Sequence, residues 1–263
     1  MLGKLLKYDL KYMIKNMSAF YILAIVFAII TRILFSLEQT FMINIIGRIS
    51  VGCMFAMTAN ILINVVIRTW VRFRDSIYKD EGYLTNTLPV TKNAIYNSKF
   101  IQALIFFVVS FAIALLSIAI TYLTKDRWEM LKNYVNSITT GLEINTAVFL
   151  IGFLAVTFLE MFNAIQCGFF GIIMGYKQNS GKLGFSVLFG FIAYIAAQSI
   201  VLSLVFAVGL FNSNVMELFK STEVLNTGGL KLMFTLSIVF YIVVIGIMSF
   251  VCKKLLNKGV NLE

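Results

Sequence analysis

Long apolar runs separated by short polar stretches dominate the hydrophobic pattern of this chain. Each of six runs is long enough to cross about 30 Å of hydrocarbon as a helix of roughly 20 residues. They cover about Ser18 to Leu37, Ser50 to Trp70, Lys99 to Leu123, Thr146 to Gly175, Leu183 to Phe211 and Lys231 to Cys252. The runs lack the alternation of barrel strands, so helices must satisfy their backbone hydrogen bonds. The pattern predicts an all-α polytopic membrane protein with six transmembrane helices, forming a single transmembrane domain over residues 1–263.

Lysine and arginine fall mainly on one side of these spans. When a charge at the end of a span is counted with the adjoining segment, as for Arg68 and Lys99, fifteen of the 22 lie before the first span, between the second and third, between the fourth and fifth, or after the sixth. Six lie in the alternate segments, and Arg32 lies within a span. The positive-inside rule therefore predicts that both termini are cytoplasmic. The net charge of +10 reflects this topology, and no basic face interleaved with aromatics indicates nucleic-acid binding.

Composition excludes most catalytic chemistry. Hydrophobic residues make up 60% of the chain and charged residues 13%, with a mean hydropathy of +0.90. There is no histidine, and the three cysteines are far apart in apolar runs, which fits neither a zinc site nor a disulfide framework. Neither a nucleotide-binding loop nor a hydrolase motif is found. We expect no enzymatic site, cofactor or metal on this chain.

The first 17 residues form a basic, amphipathic pattern. Lys4, Lys7, Lys11 and Lys15 recur at spacings of three and four, which places them on one helix face. Such a helix would lie in the cytoplasmic interface with its lysines near anionic head groups, making membrane lipids a partner. The alternative is a disordered basic start that only sets topology.

The longest predicted cytoplasmic segment joins the second and third spans. Periodicity carries the second helix to about Tyr78, and a short helix follows from about Lys79 to Leu88, where Pro89 ends it. This short helix presents Tyr83 and two leucines without an apolar surface of its own to cover them. Apolar residues in that position indicate a groove on a partner protein. A loop lying on the membrane surface is the alternative.

Polar side chains within the spans are candidates for lining a cavity. They are Asn60 and Asn64 in the second span, Glu160, Asn163 and Gln166 in the fourth, and Gln198 in the fifth. A carboxylate in the middle of a span is costly unless it is neutral, paired or hydrated, which makes Glu160 a functional candidate. Hydrogen bonding between helices is the other interpretation, and the commoner role of amides in membranes. For all six residues both interpretations stay open.

Small residues follow one face of the fourth and fifth spans. They are Gly168, Gly171 and Gly175 in the fourth, and Ser186, Gly190, Ala193 and Ala197 in the fifth. Stripes of this kind let helix backbones approach closely. They predict tight packing, with a helix of the same chain or of another.

The segment from residue 80 to residue 90 reads DEGYLTNTLPV. It resembles the stretch before the third helix of bacterial ABC-2 type transporter permeases, which often reads E-G-Y-L-T-x-T-L-P-V. The layout is also similar to that family, with a basic N-terminal helix, six spans and small outer loops. The resemblance in layout covers the whole chain, and the motif covers eleven residues.

This resemblance implies the permease subunit of an ATP-binding cassette exporter in the bacterial cytoplasmic membrane. A separate cytoplasmic ATPase, in two copies, would hold ATP and Mg, and a second permease copy or a sister permease would complete the complex. The cargo would be amphipathic or hydrophobic, such as an antimicrobial peptide or a drug-like molecule. The implied coupling helix contacts the ATPase through Lys79, Asp80, Glu81, Gly82, Tyr83, Leu84, Thr85, Leu88 and Pro89. A smaller contact would come from the turn containing Tyr176, Lys177 and Lys182.

Two alternative functions remain on the sequence. The first is a secondary transporter driven by an ion gradient, with Glu160 as the proton or cation site. The second is a non-transporting membrane protein that confers immunity to a toxin.

Overall fold

The computed structural model describes residues 2–37, 40–87, 89–123, 128–130, 132–133, 135–137, 145–212, 215–216 and 227–259. Seven α-helices are bounded within these ranges. They are α1 (Leu2–Ser36), α2 (Phe41–Tyr78), α3 (Asp80–Thr87), α4 (Lys92–Tyr122), α5 (Thr146–Gly175), α6 (Lys182–Phe211) and α7 (Thr227–Asn257). The helices group into two compact units, Met1–Leu131 and Lys132–Glu263.

Six of the helices are long and apolar enough to cross a membrane, and α3 is the short exception. This confirms the all-α, six-span fold class. Several helices are longer than the predicted spans. Helix α2, for example, has 38 residues and is about 57 Å long, whereas the hydrocarbon core of a bilayer is about 30 Å thick. The chain is a multi-pass membrane protein. The cytoplasmic placement of the termini and the single transmembrane domain stay predictions.

Helix α1 differs from the expected pair of segments. It runs without a break from Leu2 to Ser36, so the basic start and the first span are one element. The four lysines are exposed, as their spacing predicts. On the opposite side Asp9, Met13 and Met17 are buried, and α1 packs on both α2 and α4. The N-terminal segment therefore packs against α2 and α4 along one face. The residues on that face, spaced four apart, are apolar except for Asp9.

Polar contacts join the long helices of the first unit. Thr31 and Ser50 share a hydrogen bond of 2.7 Å between their hydroxyl oxygens, linking α1 to α2. Tyr21 and Ser110 share one of 2.8 Å, linking α1 to α4. Hydroxyls of this kind stabilise helix pairs in a medium without water to compete. They set the register of α1 against both neighbours.

In the second unit, α5 packs on α6 and α7. At Gly171 the backbones of α5 and α6 lie so close that a Cβ atom would be 2.5 Å from the nitrogen and 2.6 Å from the Cα of Gly190. A Cβ at Gly175 would meet Ser186 in the same way. The predicted small-residue contact is therefore formed within the chain, between its fourth and fifth spans.

Candidate functional site

Helix α3 folds back against the end of α2 through a one-residue break. Lys79 is extended (φ −98°, ψ −159°), which ends α2 at Tyr78 and starts α3 at the next residue. The amide of Asn86 donates to the Ile77 carbonyl at 3.2 Å, and so ties the last turn of α3 to α2. Gly82 is buried at the crossing. The short helix predicted for this segment is thus α3, held on one side by α2.

A buried group of charged side chains lies beneath α3; we call it the Asp9 cluster. Asp9 is 2% exposed and lies at its centre. It accepts hydrogen bonds from Lys99 Nζ at 2.6 Å, Arg72 Nε at 2.9 Å and Ser98 Oγ at 3.2 Å. One carboxylate from α1 thereby joins α2 and α4, through partners that are themselves at least nine-tenths buried.

Glu81 of α3, whose side chain is 52% exposed, completes the Asp9 cluster at its outer edge. Arg72 Nη1 donates to both of its carboxylate oxygens, at 2.9 and 2.7 Å, and the Tyr12 ring lies 4.5 Å from the guanidinium carbon. Two acidic and two basic side chains give a formal charge of zero. Buried charges are tolerated when they are paired in this way, whereas one left alone is strongly destabilising. The cluster links α1, α2, α3 and α4.

The other side of α3 is open. Leu84 is 73% exposed and Tyr83 is 52% exposed. Thr85 is half-buried, and its hydroxyl donates to the Glu81 carbonyl at 2.9 Å. Lys79 and Pro89 are exposed at the two ends of the helix. Leu88 and the side chain of Asp80 lie outside the described residues. Helix α3 therefore has one face fixed by α2 and a second face that presents apolar side chains.

The turn between α5 and α6 contains the second set of predicted contact residues. Tyr176 is 3% exposed, and the Lys182 ammonium lies 5.8 Å from the centre of its ring. Lys177 and Lys182 are half-buried, whereas residues 179–181 are exposed. Gly181 adopts φ +63°, which a glycine tolerates best, and it starts α6. The Tyr176 ring is therefore buried, and the exposed part of this turn begins at residue 179.

The six polar residues of the spans are divided between the two units. In the first unit, the Asn64 amide donates to both the backbone carbonyl and the side-chain oxygen of Asn60, one turn earlier on α2. Glu160, Asn163, Gln166 and Gln198 lie in the second unit. Asn163 is 0% exposed, and Gln166 accepts a hydrogen bond of 3.4 Å from Ser249 on α7.

Glu160 belongs to a hydrogen-bonded chain across three helices. Its Oε1 accepts from Tyr194 at 3.2 Å and from Gln198 at 3.4 Å, both on α6. Gln198 Oε1 in turn accepts from Tyr241 of α7 at 2.7 Å. This arrangement favours the interpretation of these side chains as contacts between helices. Buried tyrosine and amide groups in a membrane need such partners.

We expect Glu160→Gln to change the free energy of unfolding by no more than about 1 kcal/mol, since glutamine keeps an oxygen for Tyr194 and Gln198. Glu160→Leu removes that acceptor and should cost more, about 1–3 kcal/mol. Unfolding of the purified protein by sodium dodecyl sulfate, followed by circular dichroism, measures both. An equal decrease in the free energy of unfolding in the two variants would show that the hydrogen bonds to Glu160 contribute nothing to stability.

Sequence reasoning missed the Asp9 cluster. Arg72 and Lys99 counted only toward topology, and Asp9 was overlooked. A signal was present, because Asp9 is the single acidic residue before Glu38 and lies four residues from Met13, on the apolar stripe. A lone carboxylate on such a stripe indicates a buried cation nearby.

The geometry offers no ready metal site in the part of the chain that the structure describes, where no three Cys, Asp or Glu side chains come together. The charged side chains of the Asp9 cluster bind one another and join helices. Comparison of the chain with protein families, with curated proteins and with solved structures finds no match in any of the three.

Proposed function

We propose that this chain is the permease subunit of an ATP-binding cassette exporter in the bacterial cytoplasmic membrane. A separate ATPase subunit, in two copies, binds ATP and Mg and supplies the energy. A second copy of the chain or a sister permease completes the pathway for an amphipathic or hydrophobic cargo. The similarity of residues 80–90 to the ABC-2 permeases supports this proposal, as do the six spans.

The observation that carries the proposal is the two-sided environment of α3. Leu84 and Tyr83 are exposed on a helix of eight residues, and so short a helix cannot cover them itself. Large apolar side chains that project together from a rigid support are typical of anchors for a partner groove. We assign that groove to the ATPase subunit.

The Asp9 cluster gives this contact a route into the spans. A displacement of α3 pulls on Arg72 through two hydrogen bonds to Glu81. Arg72 of α2 and Lys99 of α4 both pair with Asp9 of α1. A displacement of Arg72 is therefore transmitted to α1 and α4 as well as to α2. In this mechanism the motion of the ATPase is transmitted to α1, α2 and α4, because the paired side chains of the Asp9 cluster are packed together and move as one group.

Leu84→Arg tests the proposal. It places a cation on the exposed apolar face of α3, and we expect ATPase activity of the assembled complex stimulated by cargo to fall about tenfold, the effect of losing roughly 1.4 kcal/mol of contact energy. Leu123→Arg is the matched control, since Leu123 is 54% exposed and lies at the opposite end of α4. Activity in that variant should stay within about twofold of the parent chain, on the same conversion.

The partner is identified in the same experiment. Affinity purification of the tagged chain from its native membrane should recover a subunit with a Walker-type ATP site, and Leu84→Arg should reduce that recovery. Full recovery and full stimulation with Leu84→Arg would refute the assignment of α3 as the coupling helix.

The two alternative functions, a secondary transporter and an immunity protein, both predict activity that does not need the partner ATPase. A secondary transporter would move cargo into liposomes without ATP and lose that activity in Glu160→Gln. An immunity protein would protect cells even when the partner ATPase is catalytically dead. The hydrogen bonds already made by Glu160 favour the exporter over the first of these.

A further inference from the structure

A cavity of about 520 Å³ opens between the first half of α1 and the helices α3 and α4. Its walls include apolar atoms of Leu5, Tyr8, Leu84 and Ile95, and its floor is the Asp9 cluster. Volumes of this size are typical of small-molecule sites. Surfaces that bind a protein are broader and flatter, at about 800 Å² per partner. The shape therefore favours a small ligand or a lipid head group.

The charges around this cavity favour an anion. Lys11 and Lys15 line it from α1 and are exposed, one turn apart on the same face. Four basic side chains and two acidic ones contribute to the walls, a formal excess of two positive charges. The excess comes from the two α1 lysines, because the Asp9 cluster is neutral.

The floor still has hydrogen-bond donors to offer. The Lys99 ammonium has three N–H groups, and in the described ranges it uses one of them, toward Asp9. Arg72 uses Nε and Nη1, while its Nη2 makes no hydrogen bond to any residue placed by the structure. Both side chains are more than nine-tenths buried and both line the cavity. Buried donors that face a cavity point to an acceptor of high charge density.

We propose that this cavity is a binding site for the phosphate of an anionic membrane phospholipid. Lys11 and Lys15 contact the phosphate at the rim, Lys99 and Arg72 donate from the floor, and the apolar wall accommodates the glycerol and the first acyl carbons. A lipid is favoured over free phosphate because the cavity lining is mostly apolar and because α1 continues from it into the first span with Ile14 and Ile22 exposed. The cavity shares Leu84 with the exposed face of α3, whereas its basic rim, Lys11 and Lys15, lies outside the proposed ATPase contact.

The chain offers a matched pair of variants for testing this site. Lys11→Gln with Lys15→Gln removes two charges from the cavity rim. Lys4→Gln with Lys7→Gln removes two other exposed charges from the same helix, outside the cavity lining. Each protein is reconstituted in nanodiscs of equal parts phosphatidylglycerol and phosphatidylcholine. Native mass spectrometry then counts the lipids that stay bound.

We expect the parent chain and the Lys4/Lys7 variant to retain phosphatidylglycerol selectively, and the Lys11/Lys15 variant to retain about tenfold less. Equal losses in both variants would show diffuse attraction and overturn the proposal, as would equal retention of phosphatidylcholine. Displacement of the lipid by millimolar inorganic phosphate would overturn the choice of lipid over free phosphate. Loss of ATPase recovery in the Lys11/Lys15 variant with lipid retention intact would assign the cavity to a protein interface instead.

Discussion

Replacement of Asp9 by asparagine is expected to lower the free energy of unfolding by about 3–5 kcal/mol. The carboxylate is the shared partner of Lys99 and Arg72, at 2.6 and 2.9 Å. Asparagine is nearly the same size but carries no charge, so Lys99 is left as a buried cation without a counter-ion. Unfolding in sodium dodecyl sulfate, followed by circular dichroism, measures the change.

Asp75→Asn is the matched control for this substitution. Asp75 pairs with its sequence neighbour Arg74 at 2.8 Å, and both side chains are partly exposed. Exposed pairs contribute little, so the same chemical change there should cost less than about 1 kcal/mol. Adding Lys99→Met to Asp9→Asn removes the stranded cation and should restore part of the loss. If Asp9→Asn costs no more than Asp75→Asn, the cluster does not hold the first unit together.

Gly171→Ala is expected to destabilise the second unit by about 2–3 kcal/mol. Its Cβ would lie 2.5 Å from the Gly190 nitrogen and against the Ser186 carbonyl oxygen. These are backbone atoms and cannot rotate aside, so α5 and α6 must move apart and give up their packing. The same unfolding titration reports the loss.

Gly184→Ala provides the comparison on the facing helix. A Cβ at Gly184 meets nothing within 4 Å, and alanine favours a helix over glycine by up to about 1 kcal/mol. We expect this variant to be as stable as the parent chain or slightly more stable. A Gly171→Ala protein of parent stability would mean that α5 and α6 do not approach as closely as the structure shows.

The helices could be predicted from the sequence because their signals are local. Continuous apolar runs indicated all six spans, and the run DEGYLTNT ahead of Pro89 indicated α3. Helix α2 ends at Tyr78, as its periodicity predicts, but it begins at Phe41, nine residues before the apolar run that was assigned from Ser50. Arg48 lies within those nine residues, and a single charged side chain does not end a helix.

The candidate site was only partly predictable, because its chemistry depends on residues far apart in the chain. Asp9 lies 63 positions from Arg72 and 90 from Lys99, and no periodicity within one helix relates them. The polar residues of the spans show the same limit. Asn60 and Asn64 bond within one helix, whereas Glu160 bonds to another, and a single sequence does not distinguish the two cases.

The continuity of α1 has a mechanical consequence. Its 35 residues extend about 52 Å. Its basic end is joined to the Asp9 cluster, and its other end, at Ser36, lies at the opposite end of the first span. Because α1 is one continuous helix, it tilts as a rigid body. A tilt of only about five degrees at one end shifts the other by roughly 4–5 Å, slightly less than the rise of about 5.4 Å for one helical turn. A small rearrangement around Asp9 can therefore displace the Ser36 end of α1, at the opposite end of the first span, by several ångströms.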